Sequence, residues 1–191
     1  MMPKPLVSAA LSVLMLTALV ACRPAPSVEY RVHATVKELM DSIVDPSSDA
    51  IWGSVEVVAT LEGTVEKQPK TDDDWKTLRR HAVSLIEASN LLLMPGRRVA
   101  RPGEKAEDAR VDLQPEEIEA RIAQDRSVWV SHAHTLQEAA LETLEAIDAR
   151  SVKALVDTGE TLDQACETCH KTYWYRPSPL PVNDPPPKPE H

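Results

Sequence analysis

Proline placement constrains this chain more than any other feature. Sixteen prolines occur in 191 residues, and seven of them fall between Pro177 and His191. Proline has no N–H to give to a hydrogen-bond ladder, and its ring crowds the turn before it. Neither a helix nor an inner strand survives at that density. Residues 177–191 therefore read as an extended, solvated tail, a spacer without chemistry of its own. Between about residues 29 and 176 only Pro46, Pro69, Pro95, Pro102 and Pro115 remain. None of these interrupts a segment of strong apolar periodicity, so this stretch is free to be helical.

Four helices are expected there. The first runs from about Glu29 to Val44, with Val32, Val36, Leu39, Met40 and Ile43 on one face, and is expected to stop at Asp45-Pro46. The second opens at Thr71-Asp72-Asp73-Asp74, an N-cap followed by acids at the positive end of the dipole. Trp75, Leu78, Ala82, Leu85, Ala88 and Leu92 form its stripe, and Met94-Pro95-Gly96 ends it. The third starts at Pro115 and carries Ile118, Ile122, Trp129, His132, Leu136, Ala140, Leu144 and Ile147. A break near Ala149-Arg150-Ser151 precedes the fourth, about Val152 to Trp174. Of the two long connections, 45–70 contains Val55-Glu56-Val57, which fits a short strand or a short helix. The other, 95–114, is charged and irregular, with Arg97, Arg98 and Arg101 as a local positive patch, and reads as a solvated loop.

Composition narrows the function. Five glycines leave no GxGxxG and no GxxxxGK[ST]. The formal charge of −9 argues against nucleic acid, whose binding depends on neutralising phosphates with Lys and Arg. Aromatics are only 4%, with no phenylalanine. A large apolar cofactor is one way to complete so thin a core. No Ser/His/Asp order or paired-carboxylate site stands out, so the chain is not expected to be an enzyme.

The amino-terminal segment reads as an export signal. Lys4 precedes an apolar run from Leu6 to Ala21, interrupted only by Ser8, Ser12 and Thr17. It falls short of the roughly 20 residues that span a bilayer. It ends in Leu19-Val20-Ala21-Cys22, which resembles the lipobox of bacterial lipoproteins. That resemblance implies cleavage after residue 21 and lipidation of Cys22, with residues 22–28 as a short linker. It also implies the periplasmic face of a bacterial membrane, and Arg23 rather than aspartate after the cysteine favours the outer one. Loss of Lys4 leaves a mature charge of 20 − 30 = −10. Such a surface suits docking with a basic partner.

Cys166-Glu167-Thr168-Cys169-His170 is a CxxCH, the attachment signature of c-type haem. On a helix the two sulfurs project from one face, where both can bond the vinyl groups of a single porphyrin. His170 follows directly and supplies the iron's proximal ligand. A thioredoxin-like CxxC would need a βαβ pattern, and a structural zinc site would need a second ligand pair. The sequence holds neither. One covalently attached haem c is therefore the expected cofactor.

A CxxCH near the end of the last of four helices, continued as CxxCHxxY through Tyr173, resembles the cytochrome c′ superfamily of four-helix-bundle cytochromes. The resemblance implies an all-α antiparallel four-helix bundle, with the haem held by Cys166, Cys169 and His170 and with Tyr173 beside it. Trp174 stands where that family commonly has arginine. Low-spin members take a sixth ligand from a methionine of the first helix, and the matching residue here is Met40. Thioether ligation raises the reduction potential and makes an electron carrier. Members with an apolar residue there are five-coordinate and bind diatomic gases such as nitric oxide, which is the alternative reading. The family also implies pairing of two copies through the first two helices.

Other residues compete for roles. Met94 is a rival sulfur at a helix end, and its expected job is closing the bundle. His81, His132 and His134 could in principle ligate iron, but histidines on an apolar stripe more often serve as hydrogen-bonded core residues. His33 lies nearer the helix entrance. Arg79, Arg80, Arg97 and Arg98 are candidates to pair with haem propionates. Gly159 within the fourth helix marks either a kink or the close approach of another helix.

Overall fold

The computed structural model describes residues 29–60 and 63–177. The signal segment, Cys22 and the proline-rich tail beyond residue 177 lie outside the described residues. The chain divides into Met1–Arg31 and Val32–His191. Of the first unit, residues 29–31 are described, and they form neither helix nor strand. Everything below concerns the second. It is mostly helical, as an all-α chain should be.

The first helical run starts and ends later than the periodicity suggests. Thr35 caps α1 (Val36–Leu39) with a reciprocal pair of bonds: the Glu38 N–H donates to Thr35 Oγ1 at 3.1 Å, and the Thr35 N–H donates to Glu38 Oε2 at 2.9 Å. The chain then widens into a π-turn over Met40–Val44 and continues as α2 (Asp45–Trp52). Asp45-Pro46 does not stop it. In an α-helix the Pro46 ring would crowd the Ser42 carbonyl and leave it without a donor. The wide turn opens the ladder just ahead of the proline, where the Asp45 N–H reaches back five residues to the Met40 carbonyl. Pro46 then occupies the first turn of α2, where its missing N–H costs nothing.

An antiparallel hairpin follows, β1 (Glu56–Thr60) with β2 (Gly63–Lys67), paired Glu56 to Lys67 through Thr60 to Gly63. Val55-Glu56-Val57 is thus the entry to a strand. Gly63 at φ 135° adopts a backbone conformation that side chains disfavour.

Helix α3 (Asp72–Leu92) begins at the expected Thr71 cap, with the Asp74 N–H donating to Thr71 Oγ1 at 3.1 Å, and finishes at Leu93. The expected third helix is two. α4 (Pro115–Gln124) ends at Asp125, whose backbone leaves the helical region at φ −139°, ψ 80°. The Asp125 carboxylate accepts from the Ser127 and Val128 N–H groups and so caps α5 (Arg126–Asp148). Apolar spacing runs straight through this joint, which is why periodicity alone joins the two. Arg150, at φ 51°, makes the turn into α6 (Val152–Tyr173), capped by Ser151.

Helix α5 packs against both α3 and α6, and α2 packs against α3 and α6. Ala82, Ala88, Ala133, Ala139 and Ala140 are buried along these seams, and their small side chains let the backbones approach closely. Leu85, Leu155 and Leu162 fill the space between. Buried hydroxyls are satisfied locally: Ser89 donates to the Leu85 carbonyl at 3.0 Å and Thr143 to the Ala139 carbonyl at 2.9 Å.

Gly159 marks a close approach. The Trp52 indole N–H donates to the Gly159 carbonyl at 3.0 Å, and a Cβ at 159 would sit 3.4 Å from Trp52 Cδ1. Alanine fits with a slight adjustment and gains helix propensity, so Gly159→Ala should leave stability within about 1 kcal/mol of wild type. Gly159→Leu should displace the indole and cost about 1–3 kcal/mol in urea unfolding.

Candidate haem site

The CxxCH lies in the penultimate turn of α6, held by the cap at Ser151 below and by a tight ending above. The Trp174 and Tyr175 N–H groups both donate to the His170 carbonyl, at 2.7 and 3.0 Å. Cys166, Cys169 and His170 all face one cavity of about 330 Å³. From the first helical run Met40, Val44, Asp45, Ser48, Asp49 and Trp52 form the opposite wall. Leu92 of α3, Trp129, His132, Ala133 and Leu136 of α5, and Asp163, Ala165 and Glu167 of α6 complete it. The lining is predominantly apolar. Trp129 is fixed there by its indole N–H, which donates to the Leu92 carbonyl at 3.1 Å.

A second cavity of about 220 Å³ lies beside it, and the two share Met40, Asp45 and His170 as walls. Trp174 and Tyr175 line this second space. Both rings box in His170, with centroids 6.3 and 6.0 Å from the imidazole. The Tyr175 hydroxyl donates to Glu167 Oε1 at 3.1 Å.

The electrostatics suit a ligand set. Burial pushes the Cys166 thiol up to about 11 and the Cys169 thiol to about 12, so both sulfurs stay protonated at neutral pH. Both cysteines are free thiols. Burial also lowers the His170 pKa, against the opposing pull of Glu167 and Asp45, which leaves a neutral imidazole with a lone pair for a metal. Asp45 itself is raised by burial, partly countered by His170.

The residues fit a haem. The cavity is apolar over most of its lining, with Asp45, Asp49, Asp163 and Glu167 as its acids; it carries two thiols and a neutral imidazole on one helix and presents a thioether from another. Ser48 adds an independent sign that the space is meant to be filled. It is 2% exposed, and its Oγ has no hydrogen-bond partner, alone among the described buried side-chain polar atoms. An orphaned hydroxyl at a cavity wall costs free energy until water or a ligand meets it.

The other candidates are sorted by position. Among the described residues Met40 is the only methionine lining either cavity; the Met94 sulfur instead accepts from the Arg97 guanidinium at 3.2 Å. Of the histidines only His132 and His170 face the main cavity. His81 sits 3.4 Å from the Ser47 hydroxyl across the α2–α3 seam, while His33 and His134 are exposed. Tyr173 stands one layer back, buried edge-on against Trp129 at 5.3 Å and His132 at 5.9 Å, rather than in the lining. The arginines are engaged elsewhere. Arg79 pairs with Asp148 at 2.9 Å, Arg80 donates to Thr77 Oγ1 at 2.9 Å, and Arg98 pairs with Glu119 at 2.6 Å. Arg97 donates to the Leu91 carbonyl at 2.8 Å and to the Ala34 carbonyl.

Ser48, Asp45, Trp52 and Trp129 are wall residues that the sequence does not single out for the site. Gly159 was the one available signal, since a mid-helix glycine invites a large partner such as Trp52. Among the described residues, no helix is long and apolar enough to cross a membrane. Comparison with known proteins gives no match to a family model, a curated protein or a solved structure.

Proposed function

We propose that the chain is a monohaem c-type cytochrome that transfers electrons. The reading rests on one observation above all: the Cys166-Cys169-His170 face of α6 meets Met40 across an apolar cavity of about 330 Å³. Cys166 and Cys169 would hold the porphyrin through S–C bonds, and His170 and Met40 would be the residues that bind its iron. The group supplies reversible one-electron chemistry, and the protein sets its potential through the thioether ligand and the dry surround. Trp129, Leu136 and Val44 exclude water, while Trp174 and Tyr175 restrain the His170 ring.

The arrangement further supports an antiparallel four-helix bundle of the cytochrome c′ kind, with α1–α2, α3, α5 and α6 as its members. The lipobox-like Leu19-Val20-Ala21-Cys22 supports a lipid anchor at the periplasmic face, and the acidic surface supports docking to a basic redox partner.

The test is mass spectrometry of the exported chain, then absorption spectra of its oxidised and reduced forms with and without carbon monoxide. The expected result is one added haem and low-spin spectra in both states, with the reduced form refusing carbon monoxide. A high-spin reduced spectrum with ready carbon monoxide binding would transfer the protein to the gas-binding class. Absence of haem mass would refute the reading altogether.

A further inference from the structure

The carboxylates of the cofactor have no obvious partner in the main cavity, which carries Asp45, Asp49, Asp163 and Glu167 but neither Lys nor Arg. Protoporphyrin bears its vinyl groups on one edge and its propionates on the opposite edge. If the vinyl edge is sewn to Cys166 and Cys169, the propionates would leave on the edge away from both sulfurs. The second cavity lies there in continuity, since it shares Met40, Asp45 and His170 and holds two lysines, Lys37 and Lys105.

These two lysines differ. Lys37 is spent, with its ammonium 3.1 Å from Glu104 and 3.1 Å from Glu107. The same two glutamates flank Lys105 in sequence, so their grip on Lys37 fixes the segment that carries Lys105. Lys105 itself has no ion pair or hydrogen bond among the described residues, although it lines the cavity. The rest of its loop is anchored at both ends. The Val36 and Lys37 N–H groups donate to the Arg98 and Val99 carbonyls at 2.9 and 3.0 Å, and the Leu113 N–H donates to the Trp174 carbonyl at 2.8 Å. Asp41, Asp45 and Asp112 also line this space, with Glu107, whose carboxylate is taken up by Lys37. An incoming carboxylate among them would meet like charge, so an uncommitted cation matters all the more.

We propose that Lys105 pairs with a haem propionate, and that the 95–114 loop is the wall closing the carboxylate edge of the cofactor. This rests on the haem reading above. It gives the long charged connection a task that the arginines earlier in the loop, tied to Ala34, Glu38 and Glu119, do not perform.

The experiment uses the full haem-loaded protein and compares Lys105→Gln, Lys105→Arg and Lys105→Glu by potentiometric titration. Lys76→Gln serves as a charge control on the exposed second turn of α3; it lies sixteen residues before Leu92, about 24 Å along the helix at 1.5 Å per residue. Loss of a cation beside the cofactor favours the ferric state. K105Q should therefore raise the ferric-to-ferrous ratio at a fixed ambient potential by on the order of threefold, the effect of one screened charge. K105E should raise it further, and K105R should stay near wild type, with circular dichroism unchanged in all. A K105Q shift no larger than that of K76Q, or equal shifts in K105Q and K105R, would overturn the pairing while leaving the cytochrome reading intact. A wild-type chain without haem mass would defeat both, and mass spectrometry tells the two failures apart.

Discussion

Replacing both thiols, Cys166→Ala with Cys169→Ala, is expected to abolish covalent haem and leave a chain that barely holds its fold. Denaturing mass spectrometry should show the bare polypeptide, and acid solvent extraction should remove any haem that remains. The expected effect on stability is large because the proposed cofactor would fill the cavity that α2, α3, α5 and α6 line. At about 24 cal/mol per Å³, leaving a cavity of about 330 Å³ empty costs on the order of 8 kcal/mol. That figure is an upper bound, since part of the cavity opens to solvent. It still rivals the about 5–15 kcal/mol by which ordinary domains are stable. Urea unfolding should accordingly move to much lower concentration and lose cooperativity. Each single variant should keep one thioether and an intermediate stability. Retention of wild-type stability by the double variant would show that the cavity is not completed by a cofactor.

Met40→Ala is expected to change the electronic state rather than the attachment. Haem mass should be retained, while the reduced protein should become high-spin and bind carbon monoxide. Loss of a thioether ligand should lower the potential by roughly 0.1–0.3 V, a fraction of the span over which axial ligands tune haem iron. The accompanying loss of packing should cost about 2 kcal/mol, the low end for methionine truncation, because Met40 is only partly buried. His132 also lines the cavity and could step in, which gives the experiment a second reading: a low-spin M40A spectrum that disappears in the M40A/H132A double variant would identify it. An M40A spectrum identical to wild type, with carbon monoxide still refused, and unaltered by H132A, would remove Met40 from the ligand set.

How much of this was legible beforehand depends on how local each signal is. The Thr71 cap and the Ala149-Arg150-Ser151 turn are each written within a few consecutive residues, and each is found where the pattern puts it; the CxxCH is equally local, and its residues lie near the end of the last helix. Pro46 misled, because the rule against helix before proline assumes an α-ladder and a π-turn escapes it. Asp125 was missed for the converse reason: the apolar stripe continues across it, and only its backbone angles reveal a cap. The cavity walls were the least visible. Ser48, Trp52 and Trp129 belong to elements far apart in the chain, and nothing in their own neighbourhoods marks them as facing the same space. Met40 became a candidate through a family resemblance, and its place opposite Cys166 and His170 depends on packing that spacing alone does not encode.

The π-turn at Met40–Val44 has a consequence for how such a site can change over time. A wide turn amounts to one surplus residue accommodated within a helix. It resets the angular phase of what precedes it by about 100°, the rotation per residue of an α-helix at 3.6 residues per turn. Met40 is therefore aimed independently of Ser48 and Trp52, although all three belong to one continuous rod. Losing one residue between positions 41 and 44 would turn the sulfur by about that angle relative to Ser48 and Trp52, and it would also set the Pro46 ring against the carbonyl four residues before it, so the change would carry a kink with it. If the proposed haem is bound, a single codon deletion in this turn would open the iron's coordination sphere, at the cost of setting a proline inside an α-ladder.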